Sequence, residues 1–238
     1  MILKRWWLGL LEVLLPRLCC GCGERLAMGE RLVCARCQLT LPLETNRDWD
    51  FNRRKRAWGD HPALAHVGAL TRYERTNVSA ELVRSLKFRR RYELGAWMGR
   101  VAVLSLRDTG LFEGVEMLIP IPLTRRRLHT RGFNQAEKIA DGLAGELHIP
   151  VRTDVLRRLR YQESQTHFML TKRRDNVQGI FELLTDEGLR GKHVMIVDDV
   201  ITTGATMLAA IEALERVPDI RISVFAWAWA PVPAGSQT

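Results

Sequence analysis

No cysteine follows Cys37, no later apolar run reaches the length of a membrane span without a charge, and no internal repeat or low-complexity tract occurs in the 238 residues. Each absence removes a class of protein. Cysteines confined to positions 19–37, in a chain read as having no export signal, argue against a disulfide framework. The missing long apolar stretch argues against a transmembrane protein. Acidic excess is lacking too. The chain has 36 Lys+Arg against 27 Asp+Glu, a formal charge of +9 that suits polyanionic partners such as nucleic acid or phosphorylated small molecules.

The first residues imitate a secretory signal, with Lys4-Arg5 ahead of the apolar stretch Trp6 to Leu15. That stretch is too short to span a bilayer and contains Glu12, no small-residue cleavage site follows, and Pro16-Arg17-Leu18 before Cys19 is not a lipoprotein box. Trp6, Trp7, Leu10, Leu11, Leu14 and Leu15 fall on one helical face. Residues 1–17 are therefore read as an amphipathic helix that docks onto the body, and the protein is placed in the cytoplasm.

Cys19-x2-Cys22 and Cys34-x2-Cys37 form two knuckles. Two intervening residues let both sulfurs of a turn face one ion, so Cys19, Cys22, Cys34 and Cys37 are read as the thiolates of a structural zinc. Gly21 and Gly23 suit the tight turn. The alternative pairing of Cys20 with Cys22 is one residue too short, which leaves Cys20 outside the ligand set or beside it. This module spans residues 18–45. Residues 46–66 are polar, with Trp49, Phe51 and Trp58 interspersed, and read as a linker or lid.

From residue 67 to 238 the pattern alternates. Strands are expected at Val67–Leu70, Val115–Pro120, Phe181–Leu183, His193–Val197 and Ile222–Trp229. Helices are expected over Thr76–Leu86, Tyr92–Leu106, Asn134–Leu147 and Ala205–Arg216. An Arg-rich loop follows Pro120, and a long basic loop precedes Phe181. This alternation implies an α/β fold with a mainly parallel sheet.

The continuous apolar run His193–Val197 is of the buried parallel-strand kind and is expected to end at Asp198-Asp199. Ligands of open parallel sheets collect beyond such strand ends. Thr202-Thr203-Gly204-Ala205-Thr206 leads on into a helix, and gathers backbone N–H groups, hydroxyls and the positive helix end around one point. Two carboxylates can accept hydrogen bonds from vicinal ribose hydroxyls while the adjoining loop donates to a 5′-phosphate. Asp198 and Asp199 are thus the ribose candidates, and Thr202, Thr203, Gly204, Ala205 and Thr206 the phosphate candidates.

An apolar strand, Asp-Asp, then Val-x-Thr-Thr-Gly-x-Thr resembles the phosphoribosyl pyrophosphate (PRPP) signature of type I phosphoribosyltransferases. Ile119-Pro120-Ile121-Pro122, Arg131-Gly132-Phe133-Asn134-Gln135, Gln165, Arg173-x-x-Asn176, Phe181, Lys87-Phe88 and the cysteine knuckles narrow it further. With these the chain is similar to the ComF/GntX family of competence and DNA-utilisation proteins.

The resemblance implies a type I phosphoribosyltransferase fold behind the small zinc module, and Mg²⁺ carried largely by the oxygens of PRPP. It places the loop after Ile119 at the pyrophosphate position and the stretch from Gln162 to Phe181 at that of the flexible catalytic loop. Lys87, Arg125, Arg131 and Arg173 become the candidates for diphosphate contacts. His129, His148 and His167 are assigned no role, and no catalytic residue is named.

Two uses of the site stay open: transfer of phosphoribosyl to an unidentified acceptor, or a non-catalytic sensor or grip in a protein that handles single-stranded DNA. For the second, five basic runs, Arg53–Arg56, Arg89–Arg91, Arg125–Arg127, Arg157-Arg158 and Lys172–Arg174, would hold the backbone. Trp49 and Trp58 would stack bases. Competence or DNA-uptake proteins are the implied partners.

Overall fold

Four strands pair side by side, all in parallel, in a computed structural model that describes residues 16–44, 58–89, 91–159 and 179–230. In chain order the described elements begin with helix α1 (Ala35–Leu39), strand β1 (Leu64–Arg72) and helices α2 (Val78–Phe88) and α3 (Tyr92–Leu106). Next come β2 (Met117–Pro120), α4 (Arg125–Arg131), α5 (Gln135–Leu147), and the short strands β3 (Leu156–Arg158) and β4 (Phe181–Leu183). The chain ends in β5 (His193–Ile201), α6 (Ala205–Leu214) and β6 (Arg221–Trp229). The readings of residues 1–15, of Trp49, Phe51 and Arg53–Arg56, of Gln165, and of Lys172–Arg174 with Asn176 lie outside the described residues.

The sheet order is β1-β6-β5-β2, with β3 and β4 forming a separate antiparallel pair. Strands covered on both faces need apolar side chains at every position. Accordingly, Val194 to Val197 of β5 and Ile222 to Ala228 of β6 are buried throughout. One face packs α2, α3, α5 and the cysteine module around Leu70, Val197, Phe225 and Trp227. The other packs α6, the β3–β4 pair and Trp58 around Ile196, Val224 and Ala226.

Helices α3 and α5 meet through glycine. A Cβ at Gly99 would strike the Ile139 carbonyl oxygen, and one at Gly142 the Ala96 carbonyl oxygen. No other residue permits backbones this close.

Three expectations need correcting. β5 does not stop at the aspartates but runs to Ile201, because Asp198 and Val200 keep their pairing with Ala226 and Ala228 of β6. The Arg-rich segment after Pro120 is not a loop but helix α4, capped by the Thr124 hydroxyl, which accepts from Arg127 N at 3.3 Å, and closed by Gly132 at φ 81°. β1 opens at Leu64, ahead of the expected Val67. Its neighbour β6 is long enough to pair from Ile222 onward.

Candidate functional site

Parallel pairing puts the carboxyl ends of β2 and β5 on one edge. Pro120 lies opposite Val197, and Ile121 N donates to the Val197 carbonyl at 2.9 Å, so the chain after β2 leaves beside the acid pair. Asn134 holds this corner from above. Its amide nitrogen donates to the Ile121 carbonyl at 3.0 Å, and its side-chain oxygen caps α5 at Ala136 N, 3.1 Å.

Asp198 is half-buried and Asp199 buried. Alternation along the strand separates their side chains. The Asp198 carboxylate accepts from Asp199 N at 2.8 Å, while Asp199 Oδ2 lies 3.0 Å from Nζ of Lys87, in the last turn of α2. Burial pushes the Asp198 carboxyl up to about 7; the Asp199 charge adds to the rise, and the Asp199 N–H, Lys87 and Arg158 oppose it.

The threonine bend follows β5 directly. Thr202, Thr203 and Ala205 are exposed and Thr206 is half-buried, while Gly204 is buried at φ 82° and caps α6. Thr203 Oγ1 accepts from Ala205 N at 3.4 Å. Behind the bend lies Trp58, whose indole would be 2.8 Å from a Cβ on Gly204. Trp58 is itself stacked on Trp229, with ring centroids 5.9 Å apart. Trp58 is therefore a buried wall of the bend rather than an exposed stacking surface.

The cationic candidates diverge. Lys87 reaches the site through Asp199. Arg131 Nη1 donates to Gln135 at 2.6 Å, and its guanidinium lies 5.9 Å above the ring of Phe88, the residue after Lys87. Arg125 is exposed at the start of α4, and Arg173 lies outside the described residues. The sequence reading singled out Arg158 only as part of a basic run. It is half-buried in β3, with its guanidinium 5.4 Å from the Phe181 ring centroid. Burial and the charge of Arg127 lower its pKa, and Asp198 raises it. Only the Arg157-Arg158 pair itself was a signal in the sequence.

Away from this edge, the sulfurs of Cys19, Cys22, Cys34 and Cys37 all lie within 4.8 Å of one another. A tetrahedral zinc with Zn–S of about 2.3 Å sets sulfurs about 3.8 Å apart. Cys22 and Cys34 meet that spacing at 3.8 Å. Gly21 N and Cys34 N point at the Cys19 sulfur, at 3.4 and 3.3 Å, as donors to a thiolate do. Glu30 ties the two knuckles together, accepting from Ala27 N and Ala35 N at 2.7 Å each. Those N–H groups hold its carboxyl below the usual range. The set fits a structural metal. Cys20 stays outside it, buried against the main core with its carbonyl accepting from Ser85 Oγ at 2.7 Å.

Comparison with known proteins matches residues 128–225 to the phosphoribosyl transferase domain. "DNA utilization protein YhgH" of Escherichia coli O157:H7 is 35% identical over 140 residues, which cover 57% of this chain and 60% of that protein. "Competence protein F" of Haemophilus influenzae is 25% identical over 91% of this chain and 92% of its own length. "Competence protein ComFC" of Bacillus subtilis is 36% identical over 46% of this chain and 42% of its length. The parallel sheet, with an acid pair near the end of β5 and a glycine bend after it, is the type I phosphoribosyltransferase fold, and the N-terminal cysteines add a potential metal site. Over residues 128–225 the chain is thus similar to the phosphoribosyl transferase domain, and over longer or shorter spans to proteins named for DNA utilisation and competence.

Proposed function

We propose that the carboxyl edge of β5 binds PRPP or a close phosphoribosyl relative, and that the protein transfers phosphoribosyl to an acceptor with release of diphosphate. One observation carries this reading: Asp198-Asp199 run without interruption into an exposed Thr202-Thr203 and a left-handed Gly204 that starts a helix. The acids would accept from the ribose 2′- and 3′-hydroxyls. Backbone N–H groups from Thr203 to Thr206 and the threonine hydroxyls would donate to the 5′-phosphate.

Attack at C1′ passes through a cationic, oxocarbenium-like state, so the protein works mainly by holding the sugar and stabilising charge. The two carboxyl groups lie on the sugar side. Lys87, Arg131 and Arg125 would serve the diphosphate side; Lys87 holds Asp199 in place before ligand arrives. Among the described residues the only group of three or more possible metal ligands is the cysteine cluster. Mg²⁺ would come with the ligand, held largely by its own oxygens, and would neutralise the departing diphosphate.

The names of the relatives support a role in DNA uptake or use; a cytoplasmic place and competence-protein partners belong to the same proposal. Among the described residues, no helix is long and apolar enough to cross a membrane. A second reading has its own observation. Phe88 is 72% and Tyr92 55% exposed, one on each side of the exposed Arg89 in sequence, and the Arg131 guanidinium lies over the Phe88 ring. Rings beside cations suit stacked bases of single-stranded DNA, with the phosphoribosyl site as a sensor or sugar-phosphate grip.

Incubation with PRPP, Mg²⁺ and a panel of bases, amines and single-stranded DNA, followed by phosphorus NMR, separates the two. Diphosphate release that depends on one acceptor supports transfer. Tight PRPP binding without turnover favours the sensor, and DNA binding that does not weaken with salt counts against the DNA reading.

A further inference from the structure

Helix α6 is gripped at both ends by one short stretch of chain that lies far from it in sequence. At its amino end Trp58 presses on Gly204, where a Cβ would come within 2.8 Å of the indole Nε1, 2.9 Å of Cε2 and 3.0 Å of Cζ2. At its carboxyl end His61 Nδ1 lies 3.1 Å from Oε2 of Glu215, the residue that caps α6. The His61 carbonyl then accepts from Leu64 N at 3.0 Å, where β1 opens.

The indole has little room to move. Trp58 is 8% exposed and packs in one cluster with Ile201 and Met207, on either side of the bend. Its ring is stacked on Trp229 at an interplanar angle of 23°. Trp229 is tied into the sheet in turn, standing opposite Ile201 with its carbonyl accepting from Tyr73 N at 2.7 Å. The two indoles form a shelf between the end of the sheet and the bend.

This shelf acts on the backbone assigned to the 5′-phosphate. Gly204 holds φ 82°, a conformation that glycine enters and leaves freely, so the residue alone does not fix the bend. The directions of the N–H groups on either side of it depend on that one φ and ψ. A buried flat ring against Gly204 supplies the constraint that glycine lacks.

We propose that Trp58 is a positioning residue for the phosphate bend: its indole, stacked on Trp229 and anchored through His61 to the far end of α6, holds Gly204 in the conformation that binds a sugar phosphate. The proposal rests on the phosphoribosyl reading of Asp198 to Thr206, and it gives Trp58 no contact with the ligand. Donors that already point at one place lose little freedom when the anion arrives. A supporting residue that lets them drift by about 1 Å weakens the site without removing any group from it.

The test is titration calorimetry of the full chain with ribose 5-phosphate, beside urea unfolding, in wild type, Trp58→Phe, Trp58→Ala and Leu189→Ala. Leu189 is buried in the same cluster but precedes the amino end of β5, so its truncation reports lost core packing alone. Trp58→Ala should bind ribose 5-phosphate about tenfold more weakly than wild type, and Trp58→Phe, which keeps a flat ring on Gly204, should recover affinity to within about threefold. Leu189→Ala should lower the urea midpoint and leave the affinity unchanged. If Trp58→Ala does not fold, Trp58→Leu, which refills much of the volume without a flat face, takes its place under the same expectation.

Wild-type affinity in the Trp58→Ala or Trp58→Leu protein overturns the proposal. So does an equal loss in Leu189→Ala, which would reduce the effect to general stability, or a Trp58→Phe protein as weak as Trp58→Ala. Absence of ribose 5-phosphate and PRPP binding in folded wild type is a separate failure: the phosphoribosyl reading itself then falls, and this role of Trp58 with it.

Discussion

Asp199 and Asp198 are neighbours in sequence and opposites in circumstance. Asp199 is buried beside the ammonium of Lys87, whereas Asp198 has no cation within ion-pair distance among the described residues, and its burial raises the carboxyl to about 7. The raised value fixes the sign of its linkage to stability. Asp198 stabilises the fold while protonated, fully so below the ordinary value of 3.8, and that contribution is lost as pH rises through about 7. Asp198→Asn should therefore melt with wild type at pH 4 and above it at pH 8, the gap opening between the two values. A gap of constant size across that range contradicts the assignment.

The acids and the bend were legible as a candidate site because they are consecutive, so one window of sequence holds both halves of the proposed sugar-phosphate grip. The surroundings of Lys87 and Arg158 were not legible. Lys87 suggested a diphosphate contact, and only the tertiary fold shows its charge already engaged by Asp199. Arg158 looked like half of a solvated pair until the pleat of β3 turned it inward.

Elements were read well where one signal dominated. The bounds of α3 match Tyr92–Leu106 because its apolar positions recur at helical spacing without a break. β5 was cut short because two carboxylates look like the end of a buried strand, yet backbone pairing to β6 is indifferent to side-chain charge. α4 was missed because a run of arginines carries no apolar period. Its evidence is the Thr124 cap and the Gly132 stop.

Glycines in α3 and α5 gave no signal of packing, although they decide how close the two helices come. Gly99→Ala should destabilise the protein by about 1–3 kcal/mol, since its Cβ meets the Ile139 carbonyl rather than a movable side chain. Urea unfolding measures this. An unchanged midpoint would mean that α3 and α5 are not in backbone contact.

Across the molecule, the cysteine module and the α/β body share one core. Cys19, Cys20, Leu26, Val33 and Cys37 pack in the same cluster as Leu82, Leu86 and Trp227, and Ser85 of α2 donates to the Cys20 carbonyl. A metal that orders the knuckles therefore also braces α2, the helix that presents Lys87 to Asp199. Native mass spectrometry should show one zinc per chain, and removing it with a strong chelator should lower the melting temperature and weaken phosphoribosyl binding together. A metal-free native protein with the same melting temperature would reject this coupling.

The central claim is that Asp198-Asp199 and the bend through Gly204 grasp one sugar phosphate. Titration calorimetry of the folded full chain with PRPP and Mg²⁺, wild type beside Asp199→Asn, tests it most directly. Saturable heat in wild type and an affinity about tenfold or more weaker in Asp199→Asn is the predicted result, the loss expected for hydrogen bonds to a charged acceptor. No heat in wild type, or equal affinity in the two proteins, would contradict it.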